Sequence, residues 1–167
     1  MKYITIIVAT SGKNLELAHQ FKKQLGDDST HVDILNVVDL DLPLYASVHE
    51  SKYVALDLVG SQIEKLKKNS GLVVLVPEYN GGLPPSIPNF FAWVSRATKD
   101  WRECFNNKPC AIGTYSAGGG SNAMALLRLQ LSYMGLNVIG RQIVTNSSRP
   151  QDEAGIEAIS AILKKQI

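Results

Sequence analysis

Cysteine is scarce in this chain: only Cys104 and Cys110 occur, and no histidine or further cysteine surrounds either at metal-ligand spacing. That excludes a disulfide framework and a zinc ribbon. His19, His31 and His49 fall in other segments, so neither thiol has a base close in sequence, and both are assigned to structure, not catalysis. Charge of one sign is also lacking. Seventeen Lys and Arg against fifteen Asp and Glu leave +2, and the basic residues are scattered. No electrostatic footprint for nucleic acid results, and a small molecule is the expected partner. Long apolar runs are missing too. The stretch Tyr3 to Ala9 is far short of the ~20 residues of a membrane span, and no A-x-A-like cleavage site follows it. It reads as a first buried strand, with no membrane partner and the cytoplasm as the expected location. Repeats, linkers and low-complexity tracts are absent from the sequence.

What is present is a globular balance, 45% hydrophobic and 19% charged over 167 residues, enough to bury the core of one domain spanning 1–167. Five runs rich in β-branched residues predict strands: Tyr3 to Ala9, His31 to Val37, Leu72 to Val76, Cys110 to Tyr115 and Val138 to Val144. Most are apolar almost throughout instead of alternating, the pattern of a parallel sheet covered on both faces. Parallel strands need crossover helices, and helical patterns stand between the strands. Helices are predicted over Asn14 to Leu25, Lys52 to Lys68, Ile87 to Ala97, Ser121 to Met134 and Asp152 to Lys165. In the second, Leu56, Val59, Ile63 and Leu66 recur on one face; Gly135 is placed to stop the fourth. Five βα units in one domain give an α/β doubly wound five-stranded parallel sheet, order 2-1-3-4-5, with helices on both faces.

In such a sheet a ligand lies beyond the carboxyl ends of the strands, so the loops after strands one, three and four carry the function. The first is Ala9-Thr10-Ser11-Gly12-Lys13-Asn14, where backbone N–H groups, two hydroxyls and one ammonium can converge on a phosphate at a helix start. An ordinary polar helix cap is the alternative. It is not a nucleotide-triphosphate loop: Ile7 stands where the leading glycine would be, and Asn14 where Ser or Thr would be. The second is Pro77-Glu78-Tyr79-Asn80-Gly81-Gly82-Leu83-Pro84-Pro85, a stiff loop that can offer a planar ring an amide at its polar edge and an aromatic surface. The third is Ser116-Ala117-Gly118-Gly119-Gly120 before a helix, and three glycines in a row suit the close approach of something flat.

These stretches resemble the NADPH-dependent FMN reductase family of flavodoxin-like proteins, which includes quinone, azo-dye and chromate reductases. Pro77-Glu78-Tyr79-Asn80, continuing through Leu83-Pro84 to Asn89 and Trp93, is similar to the family's P-E-Y-N-x-S-x-P-G-x-L-K-N-A-I-D-W, and Ser116 to Gly120 to its second glycine-rich signature. The resemblance implies a flavodoxin-like fold, FMN as cofactor, and NADPH or NADH as donor with a quinone or other small electrophile as acceptor. It places the FMN phosphate on Thr10, Ser11, Gly12, Lys13 and Asn14. The flavin ring is framed by Pro77, Glu78, Tyr79, Asn80 and Gly81 with Ser116, Ala117, Gly118 and Gly119. No catalytic acid, base or metal ligand is required, because the cofactor carries the chemistry. Where the family's first loop reads G-S-x-R-x-x-S-x-N, this chain is shorter and lacks the arginine. Lys13 can supply the charge but not the two-pronged fork.

Family members are commonly dimers or tetramers, and two features agree with a homo-oligomer here. Phe90, Phe91, Trp93, Trp101 and Phe105 crowd one segment, and Leu126, Leu127, Leu129 and Leu131 are spread around the fourth helix. A large core is the alternative for both. Two other functions stay open: a flavodoxin-like electron carrier, which sits poorly with a pI near 8.5, and a family member that has lost FMN and serves in binding or regulation.

Overall fold

The computed structural model describes residues 1–52, 55–150 and 153–167. Its elements run β1 (Lys2–Val8), α1 (Lys13–Leu25), β2 (Thr30–Asn36), α2 (Ala55–Lys68), β3 (Gly71–Leu75), α3 (Ser86–Ala97), β4 (Pro109–Tyr115), α4 (Ser121–Tyr133), β5 (Asn137–Val138), β6 (Ile143–Thr145) and α5 (Glu153–Gln166). Short 3-10 helices at Ser47–Lys52 and Trp101–Cys104 precede α2 and β4. Tyr53 and Val54 in the second expected helix, and Asp152 in the last, lie outside the described residues, as does the side chain of Leu56.

All strand pairs are parallel, in the order β2-β1-β3-β4-β5, with β6 also pairing β4. The fold is flavodoxin-like. Alternate side chains of each inner strand feed two cores. Ile4, Ile6 and Val8 of β1 with Val73 and Leu75 of β3 pack under α1 and α5, against Leu17, Phe21, Leu25, Ile159 and Leu163. Ile7, Leu72 and Val74 pack on the opposite face, against α2, α3 and α4 through Val59, Ile63, Phe90, Trp93, Leu127 and Leu131. Every residue of β3 is buried. That is why its sequence is apolar without alternation.

The fifth strand departs from the expectation of a continuous Val138 to Val144. β5 pairs Cys110 with Val138, and β6 pairs Gly113 with Ile143, so β4 advances three positions while its neighbour advances five. The two extra residues bulge out of the ladder around Gly140. Arg128 of α4 supports the bulge. Its guanidinium donates to the carbonyls of Ile139 at 2.9 Å, Val138 at 3.4 Å and Gly140 at 3.3 Å, and to Oε1 of Gln142 at 3.1 Å. Carbonyls that lose a ladder partner thereby regain a charged donor.

Four of the five aromatics in the segment are core, and Trp101 is half-buried with the Arg102 guanidinium over its ring. Phe90, Trp93 and Phe105 are fully buried and Phe91 nearly so, with Phe91 edge-on to Phe105 at 5.7 Å between centroids. Asn89 and Trp93, the α3 members of the motif, strap the segment after β2 to that helix. Asn89 Oδ1 accepts the Tyr45 N–H at 2.7 Å, and Trp93 Nε1 and Asn89 Nδ2 both donate to the Pro43 carbonyl, at 2.8 and 3.1 Å.

Candidate functional site

The turn after β1 ends on Gly12, which caps α1 without any side-chain hydrogen bond, so the helix presents its first N–H groups uncovered. Thr10 is half exposed, and Ser11, Gly12 and Lys13 are exposed. Ser11 Oγ accepts from the Asn36 amide at the end of β2 at 3.2 Å. Lys13 does not turn toward the loop. Its ammonium sits on the Glu16 carboxylate at 2.8 Å, and that hydrogen bond holds its pKa above the usual lysine value. Asn14 is buried, with both ends of its amide spent on the Tyr115 peptide: Nδ2 donates to the carbonyl at 3.0 Å and Oδ1 accepts the N–H at 2.7 Å. It ties the first loop to the third and offers a ligand nothing from its side chain.

After β3 the chain makes a two-residue turn centred on Asn80 and Gly81. Tyr79 and Gly82 exchange N–H to carbonyl bonds at 3.0 and 2.9 Å, and Asn80 and Gly81 have φ of 50° and 73°. Positive φ at both central positions belongs to mirror-image hairpin turns, which Asn-Gly favours because asparagine tolerates that region and glycine has no Cβ to clash. Tyr79 is left 49% exposed at the rim, beside an Asn80 amide that makes no hydrogen bond among the described residues. Pro77 is buried and sets the loop from beneath. Glu78 reaches across: its Oε2 accepts the Ala123 N–H at 3.0 Å, capping α4, whose own cap residue Gly120 supplies no side chain. A carboxylate at that position also meets the positive end of the helix dipole.

After β4, Ser116 is buried and its N–H donates to the Thr145 carbonyl at 3.0 Å, while Ala117 and Gly118 are exposed. Gly120 has φ of 74°, and a Cβ there would stand 2.5 Å from Thr114 Cγ2, so no other residue fits without displacement. Gly119 is open on its Cβ side, and a Cβ on Gly118 would stand 3.7 Å from Glu78 Oε1.

Of the fourteen expected contact residues, the structure sets Thr10, Ser11, Gly12, Glu78 to Gly81 and Ser116 to Gly119 along one carboxyl edge of β1, β3 and β4, joined by the Asn14–Tyr115 and Glu78–Ala123 bonds. Asn14 and Pro77 lie below that edge, and Lys13 is turned to Glu16. The residues fit FMN in the chemistry of their donors: uncovered helix N–H groups and two hydroxyls for a phosphate, and an exposed Ala117-Gly118 stretch, an exposed tyrosine and a free amide for a flat ring. Sequence reading missed a fourth loop at this edge, Asn146 to Pro150 after β6. Its signal was available, since Asn-Ser-Ser directly after a strand is turn chemistry, and Asn146 Oδ1 does accept the N–H groups of Ser148 and Arg149. The two thiols are buried away from this edge, and burial pushes Cys104 up to about 11. Among the described residues no group of three or more His, Cys, Asp or Glu could hold a metal, and no helix is long and apolar enough to cross a membrane.

Comparison with known proteins bears on the fold and the family. FerB, a flavoenzyme NAD(P)H:(acceptor) oxidoreductase from Paracoccus denitrificans, superposes with a TM-score of 0.77 at 19% identity, covering 99% of both chains. An FMN-dependent NADH-azoreductase from Bacillus anthracis gives 0.66 at 15% identity, covering 98% of this chain and 99% of that one. Identities that low speak for the fold alone. The quinone reductase of Escherichia coli is 27% identical over 118 residues, 66% of this chain but only 61% of the length of that enzyme. An uncharacterised protein of Mycoplasma pneumoniae is 25% identical over 143 residues, 83% of this chain and 84% of its own. The sequence model of the NADPH-dependent FMN reductases matches residues 1–150, nearly the whole chain and all three loops. This chain belongs to the NADPH-dependent FMN reductase family.

Proposed function

We propose that this protein binds FMN along the carboxyl edge of β1, β3 and β4, accepts reducing equivalents from NADPH or NADH, and passes them to a quinone or another small electrophile. The observation that carries the reading is the joining of three loops into one shelf, with an uncapped helix start at one end and the exposed Ala117-Gly118 stretch at the other. When bound, FMN supplies hydride acceptance from nicotinamide and electron delivery to the acceptor. The N–H groups of Ser11 to Lys13 and the hydroxyls of Thr10 and Ser11 would hold the phosphate. The Asn80 amide and the peptides of Ala117 to Gly119 would orient the ring. Tyr79 would cover it from water. No side chain of the shelf is asked to move a proton.

A second copy of the chain is the proposed macromolecular partner, as a homodimer or homotetramer. Leu126, Leu129 and Tyr133 of α4 are 44%, 71% and 76% exposed and border a shallow apolar hollow with Leu83. The reading is tested by titrating the protein with FMN and following flavin fluorescence, then adding NADPH or NADH without oxygen. Quenching at micromolar protein with bleaching of the flavin absorption is the expected result. Binding without bleaching would turn the reading toward an electron carrier. No binding would favour a member of the fold that has dispensed with FMN, a reading to which the Lys13–Glu16 pair lends support.

A further inference from the structure

Arg141 and Arg149 stand beyond the two ends of β6 and line one hollow of about 160 Å³ with Thr145, Pro150 and Gly155. Both are exposed, and among the described residues neither guanidinium has a carboxylate within ion-pair distance. Arg128, close by, is by contrast occupied with the carbonyls of the bulge. Two like charges bordering one small hollow repel each other, and an anion entering it relieves both.

The backbone that carries them is fixed. Asn146 Oδ1 accepts the N–H groups of Ser148 and Arg149 at 2.9 and 2.7 Å, and the Asn146 N–H returns to the Arg149 carbonyl at 2.9 Å. Gln142, next to Arg141, is held by Arg128. The volume suits one tetrahedral anion, well below the roughly 300 Å³ at which whole-ligand pockets begin. The hollow also adjoins the shelf: Thr145 accepts the Ser116 N–H, and Pro150 is shared with a neighbouring hollow that Lys13 and Tyr115 line. The carboxylates of Glu16 and Glu153 line that neighbour.

We propose that Arg141 and Arg149 receive the 2′-phosphate of NADPH and thereby set a preference for NADPH over NADH. A guanidinium is the group that accommodates this phosphate where dinucleotides are discriminated, and its fork matches a phosphate in two bonds. The inference rests on the nicotinamide reading given above.

The test compares FMN-loaded wild type with Arg141→Gln, Arg149→Gln and the double variant. Reduction by NADPH and by NADH is measured, and the oxidised proteins are titrated calorimetrically with NADP⁺, NAD⁺ and inorganic phosphate. In the double variant KM for NADPH is expected to rise about tenfold or more, with kcat and the NADH constants unchanged. NADP⁺ is expected to bind wild type more tightly than NAD⁺, a difference the double variant loses. Equal effects on both donors, or a preference for NADP⁺ that survives in the double variant, would overturn the proposal. Inorganic phosphate binding as tightly as NADP⁺, and lost in the double variant, would assign the hollow to free phosphate and overturn it as well. Should neither donor reduce the flavin, the nicotinamide reading fails by itself, and the NADP⁺ to NAD⁺ difference in calorimetry still decides the hollow.

Discussion

The loops after β1 and β3 lie along the same edge of one sheet and are held in different ways. The loop after β3 is closed by its own peptide bonds at Tyr79 and Gly82 and anchored to α4 through Glu78. The loop after β1 ends in an uncapped helix and has its one cation turned away to Glu16. A ring-sized surface that must present a fixed shape is thus built from internal restraint. A phosphate-sized end that must stay open to an anion leaves its N–H groups uncapped save for one long 3.4 Å bond from the Gly12 N–H to Thr10 Oγ1, and unspent groups are available for binding. Backbone geometry does most of the work at one end and electrostatics at the other.

The comparison is broken most severely at Gly120, which both caps α4 and completes the ring side. Gly120→Ala forces a positive φ and a clash with Thr114 and is expected to lower stability by about 3 kcal/mol, read from a denaturant midpoint. The shared restraint between the two ends is Asn14. Asn14→Ala strips both bonds from the Tyr115 peptide, and a loss of about 2 kcal/mol is expected, with weaker FMN binding; a variant as stable as wild type would show that the two loops are not coupled through this amide. On the ring side alone, Glu78→Ala removes the cap of α4. About 1 kcal/mol of stability should go, along with a change in the flavin spectrum but little effect on salt dependence.

The phosphate end sharpens the contrast through a smaller effect. Because Lys13 is engaged by Glu16, Lys13→Ala should change FMN affinity by less than about twofold, while Glu16→Gln, which frees the ammonium, should tighten it by up to about threefold. A large loss in Lys13→Ala would mean that the ammonium leaves Glu16 for the phosphate. The smallest effect expected concerns pH. The Arg96 hydrogen bond, and then that of Tyr45, hold the Glu50 carboxyl below the usual glutamate range, so this strap on the segment after β2 contributes stability above about pH 4 and loses it as pH falls through the depressed value. Tryptophan fluorescence should therefore be flat from pH 8 to 5 and move only below that, and earlier in Arg96→Ala.

Much of this was legible from residue order. Strand β3 announced itself as buried on both faces because Leu72 to Val76 contains no polar residue, and the prolines and glycines of Pro77 to Pro85 announced a stiff loop, whose positive φ at Asn80 and Gly81 the structure added. Gly135 stopped α4 as expected, with φ of 100° just past the last turn. The break between β5 and β6 was not legible, because it depends on Arg128, ten to twelve residues away on another element, supplying donors to carbonyls that left the ladder. Nor could the aromatic segment be sorted into core or surface from spacing, since Phe90, Phe91 and Trp93 all find buried positions between α3, the Trp101–Cys104 turn and the sheet.

By itself the sequence determined the βα alternation, the strand order and which three loops stand at the carboxyl edge, because periodicity and turn chemistry act over a few residues and parallel strands admit few topologies. The tertiary structure alone decided where side chains are spent. Lys13 goes to Glu16, Asn14 to Tyr115, Glu78 to α4, and Arg141 and Arg149 are left facing one hollow. Such choices depend on which partners the fold brings within about 3 Å, and a hydrogen bond between residues far apart in sequence leaves no trace in the spacing of either.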